Sequence, residues 1–236
     1  MTISDQGMGG RQVAHLVTAL EMVDRTMLDL QNRIPLPSEP MENEIDGMPL
    51  FDVDDAMDRA GFPDKFLRRP EWQTPDFVKR YAPPADRVKF RDFRGLFLTG
   101  PTGRKKTASL ALMARDWLTT MGRRASRSWR FVTFPELCVQ LQVSWDDRGP
   151  LDIIDDLARV PLLIVDDMGV EKTTDFVLQS AYLLFNKREQ AELPTYGTSN
   201  LSIDDLRVKL DDRIVSRIRG MCDVVPVDGE DQRVKR

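Results

Sequence analysis

A short apolar run that ends in a glycine-rich turn and then opens a helix constrains this chain more than any other feature. Arg94 to Thr99, through Gly95-Leu96-Phe97-Leu98, reads as a buried strand. Gly100-Pro101-Thr102-Gly103-Arg104-Lys105-Lys106-Thr107 follows. From Lys106 to Thr120 the residues Leu110, Met113, Ala114 and Trp117 share one helical face. Phosphate oxygens need many N–H donors at once, and a tight glycine loop opening a helix supplies them, together with the positive end of the helix dipole. The octapeptide fits the phosphate-loop pattern G-x-x-x-x-G-K-S/T at Gly100, Lys106 and Thr107 and departs from it at Lys105, where the pattern has glycine. In this reading Lys106 reaches the β and γ phosphates of a nucleoside triphosphate, and the Thr107 hydroxyl ligates Mg2+.

Three further motifs bear on the loop. Leu162-Leu163-Ile164-Val165-Asp166-Asp167 is an apolar run ending in two carboxylates, with Asp166 60 residues beyond Lys106. A strand buried on both faces would deliver Asp166 to the sheet's carboxyl edge, to hold Mg2+ through water. Asp167 is then placed to polarise an attacking water. Thr198-Ser199-Asn200 follows the run Leu193-Pro194-Thr195-Tyr196, and the Asn200 amide can orient water or touch the γ phosphate; taken alone, the tripeptide is a turn. In Asp212-Arg213-Ile214-Val215-Ser216-Arg217-Ile218, Arg217 has Arg213 rather than an acid at i−4. An unpaired arginine stabilises transition-state charge, in cis or in a neighbouring subunit, or is an ordinary surface residue.

Around these motifs strands and helices alternate. Helices are expected over 52–59, 76–81, 134–142, 151–157 and 175–191, strands over 128–133, 160–165 and 194–198, and a basic helix or helix pair over 204–218. That order predicts an α/β fold, a parallel sheet covered by helices on both faces. At the N-terminus Val13, Leu16, Leu20, Val23, Met27 and Leu30 form a heptad-like seam over residues 11–31, either an amphipathic helix packed on its own domain or a docking helix. Pro35, Pro37 and Pro40 stop it, and with the acidic stretch of residues 42–58 they read as a linker.

The 236 residues carry 34 Lys and Arg against 38 Asp and Glu, a net charge of −4, which excludes a globally basic nucleic-acid binder. Two basic stretches remain, Arg115 to Arg130 and Arg207 to Arg219. Arg123, Arg124, Arg127 and Arg130 are candidates for single-stranded DNA, with Trp129 available for base stacking; the alternative is solvated arginines around a core tryptophan. With Cys138, Cys222 and His15 as the only residues of their kinds, a zinc site is not credible. No apolar run approaches the roughly 20 residues of a membrane helix, and the N-terminus lacks a signal-peptide core, so a cytoplasmic protein with reduced thiols is expected.

Together these residues resemble the AAA+ ATPases, and within them the DnaC/IstB-like group of helicase loaders and transposition helper ATPases. GLFLTGPTGRKKT is similar to that group's Walker A, LLIVDDMG to its Walker B, LPTYGTSNLS to its sensor 1 strand and LDDRIVSRI to its box VII. AGFPDKF (60–66) is similar to the stretch lying near the adenine, and VDGEDQR to the closing motif. The resemblance implies an ATP- and Mg2+-dependent AAA+ core over 51–236 without a separate lid domain, a linker over 34–50, and a helical partner-docking segment over 1–33. It implies that Arg217 is an arginine finger and Arg233 a sensor 2 residue. It also implies nucleotide between subunits of a homo-oligomer, single-stranded DNA on the inner surface, and a replicative helicase or a transposase as the partner of the segment near 11–31. Lys105 departs from the group's glycine: it fits at negative φ, whereas at positive φ it costs about 1–2 kcal/mol and is expected to slow turnover.

Overall fold

The computed structural model describes residues 51–67, 73–85, 93–125, 127–142, 149–170 and 173–229, all within one compact unit. The expected N-terminal helix, the linker over 34–50 and Arg233 lie outside these residues.

Five strands run parallel in one sheet: β1 (Gly95–Thr99), β2 (Trp129–Thr133), β3 (Leu162–Met168), β4 (Thr195–Ser199) and β5 (Cys222–Pro226), in the order β2-β3-β4-β1-β5. Every residue of β1 and β4 is buried, and every residue of β3 except Asp167. This explains why β1 and β3 read as apolar runs and not as alternating patterns; β4 (TYGTS) is just as buried but carries hydroxyls and a glycine. Central strands this close need small residues: a Cβ on Gly95 would meet the carbonyl oxygen of Thr195 at 1.7 Å.

The helices are α1 (Val53–Arg59), α2 (Asp76–Lys79), α3 (Lys106–Met121), α4 (Phe134–Gln142), α5 (Pro150–Arg159), α6 (Asp175–Gln190), α7 (Ile203–Leu210) and α8 (Asp212–Met221). α3 packs on β4, with α1 and α2 against it. On this face Trp129 of β2 lies between Trp117 of α3 and Tyr196 of β4, with ring centroids 6.0 and 5.3 Å away. The other face is covered by α4 to α8, whose apolar residues form one core with Phe97, Leu163 and Val165. Helices therefore cover both faces, as expected.

Local chemistry accounts for the element ends. The Asp52 carboxylate accepts from the backbone N–H groups of Asp54 and Asp55 at the start of α1. Thr174 and Ser202 cap α6 and α7 in the same way. The basic segment over 204–218 is a helix pair, broken at Asp211 (φ 149°), whose carboxylate then caps α8 by accepting from the Arg213 N–H. The sequence reading contains no strand over Cys222–Pro226. This strand is short, half-exposed and proline-terminated, as edge strands commonly are.

Trp129 is 3% exposed inside the aromatic cluster, which corrects its reading as a platform for nucleic-acid bases. The second basic stretch is laced with acids: Arg207 pairs with Asp212, Arg213 with Asp211, Arg217 with Glu189 and Arg219 with Asp204. Among the described residues no helix is long and apolar enough to cross a membrane.

Arg188 of α6 is fully buried. Its guanidinium donates to the Thr195 hydroxyl (2.8 Å) and to the carbonyls of Leu157 (2.8 Å), Val160 (2.7 Å) and Pro194 (2.7 Å). One side chain thus joins the end of α5 to the starts of β3 and β4. Arg188→Met would take this donor from the Leu157 and Val160 carbonyls and leave the Pro194 carbonyl only the Leu163 N–H at 3.4 Å, each lost bond being worth about 1 kcal/mol. Guanidinium chloride unfolding is expected to show a loss of about 3 kcal/mol; a change below about 1 kcal/mol would show that the carbonyls find other donors.

Candidate nucleotide site

Because β4 lies between β1 and β3, the carboxyl ends of all three strands meet at one edge of the sheet. There the loop after β1, the acid pair of β3 and the polar residues ending β4 come together. Open parallel sheets bind ligands at such edges.

The loop turns through positive φ at Gly100 (126°), Gly103 (79°) and Lys105 (55°). Lys105 is therefore in the left-handed region (ψ 25°), the strained case of the two left open by the sequence. Its carbonyl accepts from the Ser109 hydroxyl at 2.9 Å and so is held by the first turn of α3. The Lys106 side chain folds back over the loop. Its Nζ donates to the carbonyls of Gly100 (2.7 Å) and Pro101 (2.9 Å) and to Oδ1 of Asn200 (2.8 Å). The neighbouring Arg104 has two buried guanidinium nitrogens, Nε and Nη1, without a hydrogen-bond partner.

Asn200 joins the two sides of the site. Its amide donates to Asp167 Oδ1 at 3.1 Å while its oxygen accepts from Lys106. Asp166 is 5% exposed and accepts hydroxyls from Thr107 and Thr198, each at 2.7 Å. Burial raises its carboxyl above the ordinary carboxylate range. The two hydroxyls oppose that shift, the Asp167 charge adds to it, and Lys65 draws it back down. Among the described residues no Lys or Arg forms an ion pair with Asp166. A buried carboxylate beside a threonine hydroxyl suits a magnesium ion held by few protein ligands, water and substrate phosphates, and no described cluster of three acidic, His or Cys residues offers another metal site.

The structure thus brings together Gly100, Pro101, Thr102, Gly103, Arg104, Lys105, Lys106 and Thr107 with Asp166, Asp167 and Asn200. It does not bring Arg217 to them. Arg217 bonds Glu189 Oε2 of α6 (2.5 Å) and lies beside Tyr182, with its Nη2 3.5 Å from the hydroxyl. No acid for Arg217 is legible on its own helix, α8, because the partner Glu189 is on α6, with α7 between them in the chain. Sequence reasoning also missed Lys65 and the Thr198 hydroxyl. The T-S-N tripeptide drew attention to Asn200, and nothing in its spacing marked Thr198.

The parallel sheet, the phosphate loop and the facing acid pair define an ATP-binding protein of the AAA+ type. The chain belongs to the family of IstB-like ATP binding proteins, whose pattern matches residues 87–236. It is 28% identical over 154 residues to the replicative helicase loader DnaI of Bacillus subtilis (strain 168), covering 59% of this chain and 48% of DnaI. The chain therefore spans about half the length of that curated relative. A crystal structure of DnaI superposes with a TM-score of 0.56 at 25% identity, covering 71% of this chain and 95% of that one. The DnaC helicase loader gives 0.55 at 17% identity, with 70% and 100% covered. AMPPCP-bound DnaA from Aquifex aeolicus gives 0.53 at 17%, with 66% and 47% covered. The last two show a shared fold.

Lys105→Gly removes a side chain from the left-handed region, so nucleotide-free protein is expected to gain about 1 kcal/mol in denaturant unfolding. An unchanged or lower stability would mean that contacts of the Lys105 side chain offset the backbone strain.

Proposed function

We propose that this chain is an ATP-dependent helicase loader of the DnaC type, delivering a replicative DNA helicase onto single-stranded DNA during replication initiation. The observation that carries the reading is the Lys106–Asn200–Asp167 bridge beside the buried Asp166, in a chain related to a helicase loader.

In this reading the backbone of Gly100 to Thr107 wraps the phosphates of ATP. Lys106 exchanges its carbonyl partners for β and γ phosphate oxygens. Thr107 and Asp166 would hold Mg2+, which would supply positive charge against the phosphates. Asp167 polarises the attacking water, and Asn200 orients it. Arg217 leaves Glu189 to act on the nucleotide of a neighbouring subunit in a homo-oligomer, and Arg233 contacts nucleotide from the end of the chain. The helicase docks near residues 11–31. Lys105, held at positive φ where the backbone approaches phosphate, permits binding and slows turnover.

Asp167→Asn is expected to lower phosphate release about 100-fold with ATP binding retained. If the parent releases no phosphate, hydrolysis is ruled out and a nucleotide-gated scaffold takes its place. In the same assay Lys105→Gly should turn over faster than the parent, and equal rates would remove Lys105 as the brake.

The family match favours one alternative, an IstB-like transposition helper ATPase acting on duplex DNA with a transposase. Pull-downs of the full chain against purified helicase and transposase decide between them: helicase capture supports the loader, transposase capture alone the helper. Light scattering after size exclusion is expected to show larger species with ATP and single-stranded DNA than without. A monomer under all conditions would sink the intersubunit role of Arg217.

A further inference from the structure

We infer that Thr198 is the positioning residue of this site: its single hydroxyl sets both carboxylates of the acid pair, and with them the metal dependence of nucleotide binding. The inference rests on the ATP-site reading above and adds a residue that neither the sequence motifs nor the family description assigns.

The geometry is specific to this side chain. Thr198 is fully buried at the carboxyl end of β4. Its Oγ1 accepts from the backbone N–H of Asp167 at 3.0 Å and lies 2.7 Å from Asp166 Oδ1. The ionised carboxylate has no proton to give, so the hydroxyl proton points to Asp166. Asp167 sits at φ 56°, where the β3–β4 register slips between Val165 and Met168. Its N–H has therefore left the strand ladder, and without Thr198 it would be a part-buried donor lacking a partner. The adjacent Ser199 cannot substitute, because its hydroxyl donates to the Met168 carbonyl (2.7 Å) and accepts from the Leu201 N–H (3.1 Å).

This arrangement decides which carboxylate oxygen remains open. Thr107 and Thr198 both donate to Oδ1 of Asp166. Oδ2 has no donor among the described residues and is the atom left to face a cation or its water. Thr198 thus turns Asp166 so that one oxygen is anchored and the other presented. Through the Asp167 N–H it also fixes the residue whose Oδ1 Asn200 holds. Its hydroxyl bonds Asp166 and Asp167 and no residue of the phosphate loop, so its contribution falls on metal and acid placement and spares metal-free contacts to phosphate.

The test compares the parent with Thr198→Val, Thr198→Ala and Thr198→Ser as full chains. A fluorescent ATP analogue is titrated in EDTA and then against increasing Mg2+. The valine and alanine chains are expected to bind the analogue in EDTA like the parent while needing about tenfold more Mg2+ for half-maximal enhancement, since a hydrogen bond to a charged group is lost. The serine chain is expected to follow the parent. Should the valine chain not fold, the alanine and serine chains carry the same contrast. The inference is overturned if valine or alanine leaves the Mg2+ midpoint unchanged, if serine behaves like alanine, or if EDTA binding falls as far as Mg2+-supported binding. A parent that binds the analogue without any response to Mg2+, or not at all, overturns the ATP-site reading itself and this inference with it.

Discussion

The hydrogen bonds of the buried Arg188 guanidinium fix the starting ends of β3 and β4 relative to α5, and the site geometry depends on that alignment. Parallel strands have no tight turn to set their register, so a contact at the strand starts matters more here than in a hairpin. The acceptors are three carbonyls and a hydroxyl, with no carboxylate. Burial draws the Arg188 pKa down to about 9, which still leaves the group charged at neutral pH. Lys187, next in sequence, pairs with Asp155 of α5 at 2.5 Å. Adjacent cations on α6 therefore hold the same neighbouring helix, one by its backbone and one by an acid.

At the opposite end of the sheet the charges are arranged differently. One amine, Lys106, and two carboxylates, Asp166 and Asp167, face each other across β4, and Asn200 separates them while bonding both sides. A neutral amide suits this position because it donates to an acid and accepts from an amine at once. Lys106 has three donor hydrogens and three acceptors. In the function proposed above, phosphate therefore does not meet an unsatisfied cation: it must replace good hydrogen bonds, and the gain lies in exchanging neutral acceptors for charged ones.

What the sequence disclosed and what it hid divide along physical lines. The unit β1–loop–α3 was legible because a doubly buried strand is apolar throughout and the glycine turn has few substitutes. Asp166 and Asp167 were legible because they end such a strand. The helix over 52–59 was legible from its own segment, and it starts one residue later, with Asp52 as its cap. Arg188 was not, because in Asn186-Lys187-Arg188-Glu189-Gln190 it looks like one more surface charge and its partners are brought near only by the fold. The Arg217–Glu189 pair links residues 28 apart on different helices, beyond any i−4 rule. Thr198 was hidden because its role follows from a register slip in a neighbouring strand, which no residue of its own segment encodes.

The root of the phosphate loop is also where the chain leaves the sheet. The Val227 N–H donates to the Thr99 carbonyl at 2.7 Å, and a Cβ on Gly100 would lie 2.5 Å from the Val227 carbonyl oxygen. The floor of the loop and the first residue beyond β5 are thus in backbone contact, with no side chain between them to act as a cushion. A shift in the path of Thr99-Gly100 is therefore passed directly to Val227, and a displacement of Val227 acts on the loop without an intervening joint.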